Sequence, residues 1–169
     1  YGELWRAGAN KNTMINFSDV VILDGTKIAK GNYALFIRPG KTLWEVFFYS
    51  NTENSGLPKN WNTNLIVAVA EVVPHTIETT WESFTISIDD LNNTGATLNI
   101  KWENSEVKIP FKVPTDKKTM ASIKETMKGS PKSRDYYSAA IYYRETGKDL
   151  RQAKKWSAKA IDLDEGKYW

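Results

Sequence analysis

Trp5, Arg6, Gly8, Asn10 and Lys11 crowd together near the start of the chain, bringing an aromatic plane, a guanidinium, an amide and an ammonium into one short stretch. Such a set can hold a carboxylate, a phosphate or a sugar, because the Arg fork bonds two oxygens at once and the indole offers an apolar plane. The structural alternative is that Arg6 bonds strand carbonyls and Trp5 plugs the end of a sandwich, since buried polar groups in such places usually serve the backbone. Trp61 stands between Asn60 and Asn62 in a polar stretch. That pattern suits sugar stacking or partner docking, and it suits equally a ring folded back over its own loop. Trp5, Arg6, Asn10, Lys11 and Trp61 are therefore the candidate ligand-binding residues.

Acid–base chemistry has fewer candidates. Glu45 and Glu71 lie in apolar stretches. If they shared a cavity with Arg6 nearby, one could serve as a general acid in an uncharacterised hydrolase or isomerase. Far more often such a residue simply reaches a sheet edge. His75 is the single histidine and has neither a cysteine nor clustered carboxylates to make a metal site or a nucleophile pair. Asp89-Asp90 lies in a stretch rich in Asn and Gly, where Asp bonds its own backbone; loop-oxygen calcium binding is the functional alternative. Lys154, Lys155 and Lys159 form a solvated helical face. No glycine-rich phosphate loop, dinucleotide fingerprint or zinc spacing occurs, and no cofactor or metal is expected.

Composition narrows the classes further. With no cysteine, thiolate chemistry and disulfides are excluded, and compartment cannot be read from redox usage. The formal net charge is +3, with lysines scattered among acids except in the C-terminal third, so nucleic acid is not an expected partner. The longest apolar run, Leu65 to Val73, is broken by Glu71 and falls short of the roughly 18 residues that cross a bilayer. Seven Trp, eight Tyr and six Phe exceed what a minimal core needs, so some rings should be on display. Beginning at Tyr1 and stopping on Lys167-Tyr168-Trp169, the chain is expected to lack natural segments at both ends, a removed signal peptide among them.

The elements that must position these residues centre on Asn32 to Ser50. Two arms of strand formers flank Pro39-Gly40-Lys41-Thr42, with apolar residues on both faces, which predicts a central hairpin buried on two sides. Asp24-Gly25 between apolar runs predicts a tight two-residue hairpin, because both turn positions need positive φ. Leu65 to Val73 reads as a strand buried on both faces and ended by Pro74. Residues 84–89, 96–102 and 107–113 alternate strictly, each with one dry and one wet face, joined by turns at Asp89 to Gly95 and Glu103 to Glu106. Pro110 marks the last as an edge strand. Strands of this number and spacing predict a mainly β chain folded as an antiparallel β-sandwich, jelly-roll-like or a partly closed barrel. From Thr115 onward Lys, Ala, Met and Tyr replace the β-branched residues, and three helices are legible, so residues 1–113 form the sandwich and 114–169 a helical tail.

Two resemblances follow from quoted motifs. Ala139 to Ile161 resembles one tetratricopeptide-type repeat, with small Ala139, Ala140, Ala153 and Ala160 allowing paired helices to approach; further repeats after Trp169 are one expectation. Residues 1 to 113 resemble a bacterial family known as domain of unknown function 2911, through Tyr1-Gly2, Trp5-Arg6-Ala7-Gly8-Ala9-Asn10, the run Gly25 to Phe36, Pro39 to Val46 and Leu57 to Asn62. The run from Gly25 carries Ala29 where the family usually has Pro. Members often carry a secretion signal and a helical tail, which implies a periplasmic or secreted protein; no activity is implied. The expected function is a non-enzymatic binding or scaffold module of the cell envelope, with a small-molecule or carbohydrate ligand on the sandwich and a protein partner on the helices. The enzyme using Glu45 or Glu71 with Arg6, and a purely structural role, are the alternatives.

Overall fold

The computed structural model describes residues 1–164, so the aromatic end at Lys167-Tyr168-Trp169 lies outside the described residues. Two compact units are present, Tyr1–Pro114 and a second that begins at Thr115.

The first unit is an antiparallel sandwich of two four-stranded sheets, not closed into a barrel. One sheet runs in the order β1 (Met14–Phe17), β4 (Gly31–Pro39), β5 (Trp44–Tyr49), β6 (Ile66–Val72). The β4–β5 hairpin lies at its centre and is buried on both faces, as its pattern predicts. Leu35, Ile37, Val46 and Phe48 point into the main core, while Ala34, Phe36, Phe47 and Tyr49 form a second cluster on the opposite face. Strand β6 packs on both faces, Ala68 and Ala70 in the main core and Ile66 and Val69 against the outer cluster, but it is the edge of the sheet and Glu71 is exposed there.

The other sheet has the order β3 (Thr26–Ile28), β2 (Val21–Leu23), β8 (Gly95–Lys112), β7 (His75–Asn92). Asp24 and Gly25 close the β2–β3 hairpin with φ of 45° and 80°, the conformation that the Asp-Gly pair supplies. The expected strands 96–102 and 107–113 are the two arms of one continuous β8, with the expected reversal between them. An 18-residue β8 would span about 60 Å if straight, yet the Val113 N–H donates to the Thr94 carbonyl at 2.9 Å. The strand therefore doubles back, at Glu103, whose φ is 49°. Its arms pack so closely that a Cβ on Gly95 would collide with the Phe111 carbonyl. Strand β7 pairs with both arms, His75 opposite Glu106 and Ile86 opposite Ile100. Its first half was not expected as strand, because Glu78, Thr79, Thr80 and Glu82 show no wet–dry alternation; pairing along the outside of the bend holds it. Nor is the second arm of β8 an edge. Ile22 and Leu23 of β2 pair with Lys112 and Phe111, and Pro110 stands just outside those two rungs.

Leu98, Ile100, Val107 and Ile109 face Leu35, Ile37, Val46 and Phe48 across the core. All eight are almost wholly removed from solvent, which makes this contact the main stabilising one.

The second unit holds α1 (Thr115–Lys128), α2 (Ser133–Glu145) and α3 (Leu150–Leu163). Asp149 caps α3, accepting from the Arg151 and Gln152 N–H groups at 2.9 and 3.2 Å. Ala139, Ala140, Ala153 and Ala160 are buried, small enough to let the helices close, and Tyr143 meets Trp156 edge to face at 4.7 Å. The Ser133 hydroxyl donates to the Ala160 carbonyl at 2.8 Å. Helix α1 is tied in through Asp116, which accepts from the Tyr142 hydroxyl at 2.7 Å and meets Lys148 at 2.8 Å. No helix among the described residues is long and apolar enough to cross a membrane.

Candidate aromatic cleft

The N-terminal segment runs beside β4 as an outer rung. Gly2 donates to the Pro39 carbonyl at 2.8 Å, and Trp5 and Ile37 exchange both backbone bonds at 2.7 and 2.8 Å. The ladder resumes only where Leu35 N–H donates to the Thr13 carbonyl. Residues 6–12 are thus looped out of the sheet edge, and Ala7 and Asn10 take φ of 54° and 62° to make the excursion. Thr13 secures its base by donating its hydroxyl to the Ala7 carbonyl at 2.7 Å.

This path separates residues that are adjacent in sequence. Trp5 turns into the sandwich, edge-on to Phe84 at 4.6 Å and stacked on Trp102 at 5.6 Å. Arg6 bonds the Gly8 carbonyl through Nε at 3.0 Å and lies over Gly56. The Asn10 carbonyl accepts from the Gly56 N–H at 3.0 Å and the Ser55 hydroxyl at 2.9 Å, while Lys11 forms a bridge with Ser55. The backbone of Asn10 and Lys11 ties the excursion to the 51–64 loop, while the Arg6 side chain braces the excursion internally at the Gly8 carbonyl.

Around Trp5 a cleft of about 450 Å³ opens at one end of the sandwich. Trp5, Trp44 and Trp102 wall it, Tyr1 and Pro39 extend the apolar surface, and Glu103, Asn104 and Ser105 supply the polar rim. Trp44 is 7% exposed and is a fixed wall, whereas Trp102 is 45% exposed and offers a ring to solvent. The β8 bend brings Trp102 here, and the bend is braced: the Asn104 amide donates to the Ile77 carbonyl at 3.1 Å and the Thr80 hydroxyl at 3.2 Å, and Glu103 pairs with Trp81. A concave, mostly apolar site with a few convergent polar groups is the usual form of a small-ligand site.

The motifs that build the cleft and its brace fall in a stretch with a family counterpart: residues 1–111 match the model described as "Protein of unknown function (DUF2911)". The chain belongs to this family. No curated protein and no solved structure matches the chain.

The remaining candidates lie elsewhere on the DUF2911 unit. Trp61 is half-buried over the outer face of the β4–β5 hairpin, stacked on Tyr49 at 4.8 Å and edge-on to Phe36 and Phe47 at 5.4 Å each. It caps that second cluster as a plug, in line with the local reading of its loop. Glu45 and Glu71 are direct cross-strand neighbours, but the cation that meets Glu45 is Arg38, at 2.7 Å, and Arg6 joins neither. Glu71 instead borders a groove of about 530 Å³ with Asp24 and Lys112, whose walls are aliphatic apart from Phe111. His75 is exposed at the start of β7. Among the described residues no three His, Cys, Asp or Glu side chains cluster as metal ligands, and Asp89 is engaged otherwise.

That engagement is a polar network that the sequence reading passed over. Asp89 accepts from the Ser87 hydroxyl at 2.8 Å and from the Asn99 amide at 3.1 Å; the same amide donates to Glu106 at 3.0 Å. Lys101 and Lys108 each reach Glu106 at 3.4 Å, and Lys101 lies over the Trp81 ring at 4.6 Å. Ser87 and Asn99 hold the Asp89 carboxyl below its ordinary range, and Asn99, with the two lysines, does the same for Glu106 against the cost of burial. The network ties β7 to both arms of β8 across the sheet face. Its residues occupy alternate wet-face positions, which in sequence are indistinguishable from a solvated face.

Proposed function

We propose that this DUF2911 chain is a non-enzymatic binding module of the bacterial cell envelope, which takes a small-molecule or carbohydrate ligand in the cleft walled by Trp5, Trp44 and Trp102. The observation that carries the reading is the half-exposed Trp102 ring presented over a pocket that Trp5 and the buried Trp44 also wall. Indole faces stack on the apolar faces of sugars and other flat ligands, while Asn104 and Ser105 at the rim can exchange hydrogen bonds with hydroxyls. Of the residues expected to bind, Trp5 belongs to this site; Arg6, Asn10 and Lys11 support it by anchoring the excursion that follows Trp5, and Trp61 stabilises the hairpin beneath. The enzymatic alternative loses its central pairing, since Glu45 is met by Arg38.

The periplasmic or secreted location rests on the secretion signals common in the resembling family. The helical unit is a docking element of tetratricopeptide type for a protein partner. It is supported by its buried alanines and by Leu150 and Ile161, which are 62% and 63% exposed on α3.

The test is tryptophan fluorescence and thermal unfolding of the chain against neutral oligosaccharides and envelope fragments, with Trp102→Ala as the control. A spectral shift and a raised Tm, both lost in Trp102→Ala, are expected. Silence toward every probe, neutral and charged, or a response unchanged in Trp102→Ala, overturns the cleft as the binding site.

A further inference from the structure

The cleft has a sign of charge that the chain as a whole does not share. We propose that it selects a ligand carrying an organic ammonium group, a reading that rests on the cleft being the binding site.

Glu103 is the one charged side chain lining it. Among the described residues no salt bridge neutralises this carboxylate, and the nearest lysine in the sequence, Lys101, is committed to Glu106 and to the Trp81 ring. The remaining walls are three indoles, a phenol and Pro39, with the uncharged Asn104 and Ser105 at the rim. Aromatic faces carry negative quadrupole charge and attract a cation lying within about 6 Å of the ring centre, the indole face best of all. Carboxylate and indoles therefore act with the same sign on a ligand: both favour an ammonium, both repel an anion. This holds on a chain whose net charge is +3, so the preference is local and built into the site.

The backbone position of Glu103 is also set in advance. Its φ of 49° is unfavourable for a residue with a Cβ, and the conformation persists because Trp81 pairs with Glu103 on one side and the Asn104 amide bonds Ile77 and Thr80 on the other. Glycine or asparagine would fill this turn more easily. A glutamate held there places a charge at the mouth of the cleft at a cost in local strain, which is the pattern of a residue kept for its side chain.

An ammonium could be presented by an amino sugar or by a choline-type head group, and matched probes separate the two. Choline is compared with its uncharged isostere 3,3-dimethylbutan-1-ol, and glucosamine oligomers with their N-acetylated counterparts, by tryptophan fluorescence titration. The expected result is that at least one charged probe binds roughly tenfold or more tightly than its neutral partner. That advantage should weaken with added salt and largely disappear in Glu103→Gln, an exposed near-isosteric change that leaves the fold intact. Preference for choline alone identifies a head-group ligand; preference for glucosamine oligomers alone identifies an amino sugar. Equal binding of charged and neutral partners, retained in Glu103→Gln, overturns the ammonium inference while leaving the cleft in place. No response to either charged probe overturns it too, and only if the neutral oligosaccharides are also silent does the cleft reading fall with it.

Discussion

Trp5 and Trp102 stack with ring centroids 5.6 Å apart and planes 18° from parallel, one on the outer rung of the first sheet and the other at the bend of β8. The contact joins the two sheets at the open end of the sandwich. It also creates the aromatic wall of the cleft, so one pair of rings both packs the sheets together and shapes the candidate site.

The pair should divide these roles unequally. Trp5 is wedged against Phe84 and Trp102 and its backbone is locked to Ile37, whereas Trp102 is 45% exposed. Trp5→Ala is expected to cost about 2–3 kcal/mol of stability, and Trp102→Ala about 1 kcal/mol while removing ligand binding. Urea unfolding of both variants beside the wild-type chain measures this; equal losses would contradict it.

Trp61 should behave as a structural ring. Its stacking on Tyr49 and its contacts with Phe36 and Phe47 close the outer cluster. Trp61→Ala is expected to destabilise by about 2–3 kcal/mol and to leave the affinity for any cleft ligand within about twofold, a change of at most roughly 0.4 kcal/mol. A folded Trp61→Ala chain that no longer binds would move the site to the outer face.

Gly95 is required by the doubled strand. A Cβ would meet the Phe111 carbonyl, and the two arms cannot separate without breaking the Val113–Thr94 bond and the rungs to β2. Gly95→Ala should therefore destabilise by about 2–4 kcal/mol, beyond the usual effect of a small added methyl group. Hydrogen exchange should localise the loss to residues 94–113.

Acid should weaken the Asn99 network. Asp89 and Glu106 titrate below the ordinary values of 3.8 and 4.5 in the folded chain, so on acidification the unfolded chain takes up protons first. The stabilisation is complete above about pH 5 and is lost as pH falls through the folded-state values. Glu106→Gln should be less stable than wild type by about 1–2 kcal/mol at neutral pH, with the gap narrowing below pH 5. Urea midpoints from pH 7 to 3 for both chains test it, and a gap that stays constant would exclude the network as its source.

Asp116 should govern how α1 is held. It joins the Tyr142 hydroxyl and the Lys148 ammonium, and both contacts keep its carboxyl ionised below the ordinary range. Asp116→Asn is expected to raise hydrogen exchange in α1 while leaving α2 and α3, which close through their alanines and the Tyr143–Trp156 contact, protected. Uniform loss of protection across the three helices would show that α1 is integral to the unit.

Much of the architecture is legible without coordinates. Two-sided apolar arms flanking Pro39-Gly40 dictate a hairpin at the centre of a sheet, Asp24-Gly25 dictates the turn of the separate β2–β3 hairpin, and the alanines at 139, 140, 153 and 160 mark where two helices touch. These signals are local: side-chain period and turn chemistry act within a few residues and need no knowledge of the partner. The same signals are blind to pairing. Pro110 suggests an edge, yet β2 lies beside that arm; Leu65 to Val73 is apolar enough for a centre, yet β6 is an edge. Trp5 stands out in the sequence because a large ring beside Gly and polar groups is unusual, while Trp102, Glu103 and Asn104 read as the end of one strand and the start of a turn, and nothing local shows that they come to lie beside Trp5.

What the sequence by itself determined, then, is the strand and helix inventory, the two-sided hairpin and the exclusion of thiol chemistry. Tertiary structure alone decided which ring would be a plug and which a wall. It did so through long-range closure: the looped-out residues 6–12 send Trp5 inward and Arg6 toward Gly56, and the doubling of β8 carries Trp102 across to meet it. Those positions depend on backbone groups far apart in the chain finding their hydrogen bonds at once, a condition that no short stretch of residues encodes.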